Sequence, residues 1–188
     1  DTCWLVSSGE EISRDLPYHS WRRLSASILE HDNGALSEEG KGVVEWLAYA
    51  RNKLPDSVSE VHGPERGAKI AGLVATALSE LAARDRVILC FDDAQWMDTP
   101  SVALLHSVVK AGAPIAILLA KRPEPPSTME AVMLYGAPDV KTLELQPLGQ
   151  DGVIEIACQQ LKADSLSPDL KKLIIEKSGG SPLFAGQI

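Results

Sequence analysis

The sequence has few cysteines, a shortage of bases and no long hydrophobic run, and each shortage excludes a class of protein. Its three cysteines, Cys3, Cys90 and Cys158, lie far apart in 188 residues. This spacing predicts reduced, buried thiols in a cytoplasmic protein and not a disulfide framework or a zinc site. The 18 Lys and Arg residues against 26 Asp and Glu residues give a net charge of −8, which argues against direct contact with nucleic acid. No apolar run approaches the roughly 18 residues that cross a membrane, so we expect no membrane span.

What the sequence does contain is an alternation of strand-like and helix-like segments. Apolar or alternating runs predict strands at 3–8, 86–91, 114–120 and 140–148. Helical spacing of apolar residues predicts helices at 17–31, about 40–53, 63–85, 99–112, 128–134, 150–162, 167–178 and from Pro182 onwards. The helix at 99–112 is predicted to have Thr99 as its N-cap and Pro100 at its first helical position.

This alternation predicts an α/β protein with a parallel sheet that helices cover on both faces. The apolar run at 114–120 is expected to be buried on both sides for the same reason. After Pro147 only helices are predicted. We therefore expect an α/β domain at 1–147, followed by the start of a helical domain at 148–188.

The segment VILCFDDAQWMD, residues 87–98, places two adjacent acids at the end of a buried strand. Functional residues of parallel sheets collect at the carboxyl ends of strands, and neighbouring carboxylates repel unless a cation lies near. A hydrated Mg²⁺ relieves that repulsion if one of the two acids, Asp92 or Asp93, holds a metal-bound water while the other polarises an attacking water. The alternative is a helix-capping Asp beside a surface Asp, with no chemistry at all.

Four segments together resemble one protein family. VILCFDDAQWMDTPSVALL is similar to the Walker B segment of the STAND class of P-loop NTPases, as found in LuxR-type transcription regulators and multidomain adenylate cyclases. LPYHSWRRL resembles the segment after the second strand of that family, and AILLAKRP resembles its fourth strand. IIEKSGGSPLFAGQI resembles the glycine-x-proline motif of its helical lid. Within this segment we expect structural roles for two residues: Trp96 for packing and Asp98 for the entry to the following helix.

The resemblance implies an ATP-dependent switch that uses Mg²⁺ and binds ATP or ADP between the sheet and the lid. Asp92 would hold Mg²⁺ through water and Asp93 would be the catalytic residue that orients the attacking water. Arg122 would sense the terminal phosphate, and Gly180 and Pro182 would contact the nucleotide from the lid. The implied partners are output and sensor domains of the same polypeptide, with self-association possible, in a cytoplasmic signalling or transcription-regulatory protein.

One element of the family pattern is missing, because no G-x-x-x-x-G-K-[ST] phosphate loop occurs in the sequence. The nearest segment is GPERGAK at 63–69. It has one residue too few between its glycines and Lys to match the motif, and it is predicted to begin a helix. We therefore expect a P-loop NTPase-like three-layer sheet without its first strand, loop and helix. The family order 5-1-4-3-2 places that strand in the interior, between strands near 141–145 and 115–119. The chain alone is expected to be inactive as an ATPase.

Two other functions fit parts of the sequence. The first is a non-catalytic interaction scaffold that kept the sheet and lost nucleotide binding. The second is a phospho-acceptor receiver domain, which also places adjacent acids at a strand end. A receiver needs a further acceptor Asp directly after its third strand, whereas Asp139 is predicted to lie in a loop before the last strand.

Overall fold

The computed structural model describes residues 2–50, 53–126 and 128–187 and has an α/β fold. It divides into two compact units, the first ending at Val140 and the second beginning at Lys141. The predicted domain boundary lies seven residues further on, after Pro147. None of the helices in the described ranges is long and apolar enough to cross a membrane.

The first unit is built on a three-stranded parallel sheet in the order β1-β2-β3. The strands are β1 (Thr2–Ser8), β2 (Arg86–Asp92) and β3 (Ala116–Leu119). In this register Leu5 pairs with Leu89 and Leu89 with Ile117. The three predicted strands therefore exist, although β3 is shorter than the predicted 114–120.

Within the described residues of this unit, six helices and two short 3-10 turns connect and flank the strands. The helices are α1 (His19–Glu30), α2 (Glu38–Tyr49), α3 (Asp56–Ser59), α4 (Gly63–Ala82), α5 (Thr99–Lys110) and α6 (Met129–Tyr135). The 3-10 turns are Glu11–Ser13 and Ala94–Trp96. The interpretation of Gly63 and Pro64 as a helix start is confirmed, because α4 begins at Gly63 with Pro64 in its first turn.

The fully buried strand residues of this unit lie on one face of the sheet. Leu5, Leu89 and Phe91 are fully buried and pack with the apolar sides of the helices in a single core. Both crossovers advance in the same direction, from β1 to β2 and from β2 to β3. Crossovers of parallel strands are almost always right-handed, so helices of successive crossovers in one direction come to the same face.

The other face of the sheet is open among the described residues of the first unit, so within this unit the prediction of helices on both faces is wrong. Side chains here alternate with the buried ones and pair across the strands as Trp4, Ile88 and Ala116, then Val6, Cys90 and Leu118. We call these six residues the open face. Trp4, Val6 and Leu118 are 54%, 42% and 52% exposed. Some apolar residues of β3 lie on this uncovered face. The apolar run of β3 therefore does not indicate a strand that is buried on both sides.

The second unit contains three helices around a small core. They are α7 (Gln150–Leu161), α8 (Pro168–Ser178) and α9 (Pro182–Ala185), as predicted. Their buried residues are Val153, Ala157, Ile174 and Ala185.

The strand predicted at 140–148 does not form, and this prediction is wrong. Residues 140–149 have no regular secondary structure, and Leu143 and Leu145 are each 84% exposed. A strand exists only when a neighbouring strand satisfies its backbone N–H and C=O groups. Alternation of apolar residues does not supply that neighbour, so the segment forms no strand.

Candidate functional site at the carboxyl edge of the sheet

Strand β2 ends at Asp92, and the chain turns sharply at the next residue. Asp93 has φ 47° and ψ 41°, a left-handed conformation that a non-glycine residue rarely adopts, and it precedes the 3-10 turn Ala94–Trp96. The two carboxylates are therefore separated by a backbone turn and not by the alternation of side chains along a strand. Such conformations collect at functional sites, where surrounding contacts hold them.

Both carboxylates are exposed and only partly occupied by hydrogen bonds. Oδ1 of Asp92 accepts from the backbone N–H of Asp93 at 2.9 Å, and Oδ1 of Asp93 accepts from Nε2 of Gln95 at 2.8 Å. Within the described ranges the second oxygen of each carboxylate has no protein partner. Burial raises the pKa of the nearby Cys90 thiol, and the negative charge of Asp92 raises it further, so that thiol stays protonated at neutral pH.

The turn after β2 is joined to the end of β3, which brings Arg122 to the same edge. The backbone N–H of Arg122 donates to Oε1 of Gln95 at 3.1 Å, and that of Ala94 donates to the carbonyl of Ala120 at 2.9 Å. The guanidinium carbon of Arg122 lies 5.9 Å from the centre of the Trp96 ring. Gln95 thus contacts both Asp93 and Arg122, a bridging position that the sequence alone did not reveal.

Gly9 is a second residue that sequence reasoning missed. It follows β1, is buried, and its N–H donates to the carbonyl of Asp92 at 2.9 Å. A Cβ at this position would lie 2.5 Å from the carbonyl oxygen of Asp93 and 3.0 Å from the backbone N of Met97. An isolated Gly directly after a strand pattern is the signal that indicates such a close backbone approach.

Replacing Gly9 with alanine is expected to lower the free energy of unfolding by about 1–3 kcal/mol, as overpacking typically does. The methyl group meets backbone atoms, which cannot move aside as a side chain can, so the turn at Asp93 must shift. Urea unfolding followed by tryptophan fluorescence measures the loss, and the amide NMR signals of Asp93 and Gln95 report the shift.

The matched control is Gly72→Ala, because a Cβ at Gly72 meets nothing within 4 Å and the residue lies inside α4. This variant is expected to gain up to about 1 kcal/mol from helix propensity. If Gly9→Ala is as stable as the parent and leaves both amide signals unchanged, the close approach does not hold the turn.

Asp98 fixes the far end of this turn and is almost completely buried. Its carboxylate accepts from the backbone N–H groups of Tyr18, Ser20 and Ser101 at 2.8, 3.4 and 2.9 Å, and from the Ser101 hydroxyl at 2.6 Å. Asp98 is thus the N-cap of α5, whereas Thr99, the predicted N-cap, is its first residue. The predicted structural role of Asp98 at the helix entry is confirmed.

Gly180 and Pro182 belong to the second unit, where each has a structural reason. Gly180 has φ 81°, and its carbonyl accepts from the N–H of Leu148 at 2.8 Å. A Cβ at Gly180 would lie 2.8 Å from the Cβ of Pro147, so both backbone conformation and space require glycine. Pro182 is the first residue of α9, a position that suits its fixed φ and missing N–H.

The donor set at the carboxyl edge fits a hydrated Mg²⁺ and does not fit a metal held by protein ligands alone. Among the residues that the structure describes, no three His, Cys, Asp or Glu side chains cluster at a metal-binding distance. Mg²⁺ commonly keeps several waters and binds through one or two carboxylates together with substrate phosphates. The free oxygens of Asp92 and Asp93 match that mode.

Comparison with known proteins identifies no relative. No family model matches the chain, and neither a curated protein nor a solved structure is significantly similar to it.

Proposed function

We propose that this chain is part of an ATP-dependent switch, in which nucleotide and Mg²⁺ bind at the carboxyl edge of the sheet. The observation that carries the proposal is the meeting of Asp93 and Arg122 at that edge, where Gln95 contacts the Asp93 carboxylate and the Arg122 backbone and Asp92 lies one residue before Asp93. Open α/β sheets bind their ligands outside the carboxyl ends of the strands. Two free carboxylate oxygens at the same sheet edge as an arginine suit a metal-bound polyphosphate.

Each residue would have a separate task. Asp92 would hold water molecules of a hydrated Mg²⁺, which when bound neutralises phosphate charge. Asp93 would orient the attacking water, because its left-handed conformation turns it away from the strand. Arg122 would contact the terminal phosphate, since its exposed guanidinium lies over Trp96 and its backbone is held by Gln95.

The shape of the sheet leaves room for a phosphate loop that the sequence does not contain. In the described part of the chain β3 pairs with β2 on one side only, so its outer edge offers free backbone groups. The open face is uncovered as well. A strand on that edge, a phosphate loop and a helix over that face would complete both surfaces. With the first family strand missing, β1, β2 and β3 would correspond to family strands 2, 3 and 4. Their neighbour order is then the 4-3-2 part of the expected order 5-1-4-3-2.

The second unit would serve as the lid of the switch, with Gly180 and Pro182 at the nucleotide. The support for this role is the resemblance of the segment around Gly180 to the glycine-x-proline motif of the family's lid. Downstream output and sensor domains would read the nucleotide state through this unit.

A non-catalytic scaffold is the second candidate, and the open face supports it. Trp4 and Val6 of β1 and Leu118 of β3, with Ile88 and Cys90 of β2 between them, form an apolar surface, and contiguous exposed apolar surfaces often mark interaction sites. A scaffold needs neither Asp93 nor Arg122, so nucleotide binding distinguishes the two functions.

Arg122→Ala is expected to reduce the preference for ATP over ADP, because the guanidinium contacts only the phosphate that ADP lacks. A loss of about tenfold in the affinity ratio corresponds to one charge-assisted contact. The measurement is calorimetric titration with Mg-ATP and Mg-ADP of a form of the protein that carries a phosphate loop. The 188-residue chain alone is expected to bind Mg-ATP weakly or not at all.

The control is Arg86→Ala, which removes the same charge from an exposed residue at the amino end of β2. Its ATP-to-ADP ratio should equal that of the parent. If the ratio of ATP to ADP affinity in Arg122→Ala equals that of the parent, Arg122 is not the phosphate sensor. If the parent form binds neither nucleotide, the scaffold function is favoured.

A further inference from the structure

A cavity in the first unit, formed by residues with no part in the proposed nucleotide site, has the walls of a small-molecule site. Its volume is about 390 Å³, and it lies between the start of α1, the side of α2 and the first turns of α4. The walls include Pro17, Tyr18, Trp46 and Ile70. Ligand sites in proteins typically occupy about 300–1,000 Å³ and are mainly apolar and aromatic with a few polar groups.

Two aromatic rings form the wall opposite α4. The ring centres of Tyr18 and Trp46 are 5.7 Å apart at an angle of 66°, and both side chains are half-buried. Tyr18 has φ 59°, and its N–H is held by the buried carboxylate of Asp98 at 2.8 Å. The backbone of Tyr18 at this wall is therefore held in place by Asp98.

Arg66 supplies a cation at the same cavity. Within the described ranges no residue forms a hydrogen bond or an ion pair with its guanidinium, although the side chain is half-buried. Burial raises the pKa of Tyr18, the charge of Asp98 raises it further, and the positive charge of Arg66 opposes the rise. The Tyr18 phenol thus remains a neutral hydrogen-bond donor near an unpaired cation.

We propose that this cavity binds a small aromatic carboxylate. Its ring would pack against Tyr18 and Trp46, where aromatic pairs gain energy beyond the burial of area. Its carboxylate would accept charge-assisted hydrogen bonds from Arg66. The cavity also borders the first turns of α4, where the helix dipole favours an anion. This site is independent of the proposed nucleotide site and does not need ATP.

Gly67 offers a direct way to fill the cavity. It lines the wall from α4, and a Cβ built there meets nothing within 4 Å. Gly72, on the same helix, also has open space but does not line the cavity. Leucine at either position changes helix propensity by the same amount, so only the filling of the cavity differs between the two variants.

The test is a titration of the 188-residue chain with naphthoate and with its neutral analogue naphthalenemethanol. Binding is monitored through the indole N–H NMR signals of the tryptophans. The signal of Trp46, assigned with Trp46→Phe, should move with saturation. That of Trp21 should stay fixed, because its indole is buried and donates to the carbonyl of Ser101 at 3.0 Å. Naphthoate should bind about tenfold or more tightly than the alcohol, the effect of one charge-assisted contact.

Variants decide whether the binding occurs in this cavity. Gly67→Leu should weaken naphthoate by about tenfold or more and Gly72→Leu should not. Arg66→Gln should weaken naphthoate and leave the alcohol unchanged. A fixed Trp46 signal, or equal weakening by Gly67→Leu and Gly72→Leu, would overturn the site. Equal affinity for acid and alcohol would overturn the carboxylate class.

Discussion

Asp98→Ala is expected to lower the free energy of unfolding of the first unit by about 3–5 kcal/mol. The substitution leaves three backbone N–H groups, those of Tyr18, Ser20 and Ser101, without an acceptor. Each buried donor left unsatisfied costs about 1–3 kcal/mol, and the lost N-cap of α5 alone is worth about 1 kcal/mol. Urea unfolding measures the effect through tryptophan fluorescence. All four tryptophans precede residue 140, so this signal reports the first unit only.

Asp98→Asn provides a graded comparison for the same site. An asparagine Oδ1 can still accept from Tyr18 and Ser101, and its amide can donate to the Ser101 hydroxyl, so only the longest bond, to Ser20, is lost. We expect a cost of about 1–2 kcal/mol, within the range for one lost partner. Asp139→Ala, at an exposed position, should stay within about 0.5 kcal/mol of the parent. Equal stability of the alanine and asparagine variants would contradict the hydrogen-bond account.

The parts of the fold that follow from local pattern could be predicted from the sequence. The helix start at Gly63 and the strand ending at Asp92 are determined by proline position and apolar run length. The uncovered face of the sheet could not be predicted, because Leu118 is apolar whether or not a helix lies over it. Local pattern also could not show that the segment around Leu143 lacks a partner strand. Both errors concern neighbours, which local sequence does not specify.

The sequence predicted the charged residues of the candidate site, but it did not predict the residues that position them. Asp92 and Asp93 were predicted because acids after a buried strand lie at the carboxyl edge of a parallel sheet, and Arg122 was predicted from the resemblance to the family's fourth strand. Gln95 contacts both sides through its side-chain amide, a geometry that depends on the left-handed turn. Gly9 acts through the absence of a side chain, and only the packed structure reveals the atoms that require it.

Asp93→Asn is expected to slow ATP hydrolysis by about a hundredfold or more while ATP affinity is kept, because an amide cannot act as a base toward water. The fold should be preserved. Asparagine is among the residues that best tolerate the left-handed conformation of this position, and its Oδ1 can still accept from Gln95. Turnover and affinity are measured in a form of the protein that carries a phosphate loop.

Asp92→Asn is the matched control, since it removes the same charge one residue earlier, from the end of β2. It should mainly weaken Mg²⁺-dependent binding, because a neutral amide loses its attraction for the hydrated ion, and raising the Mg²⁺ concentration should partly restore that binding. The two variants thus separate charge at the metal from positioning of water. If both bind and hydrolyse ATP as the parent does, the acids only end the strand, and the proposed ATPase site fails.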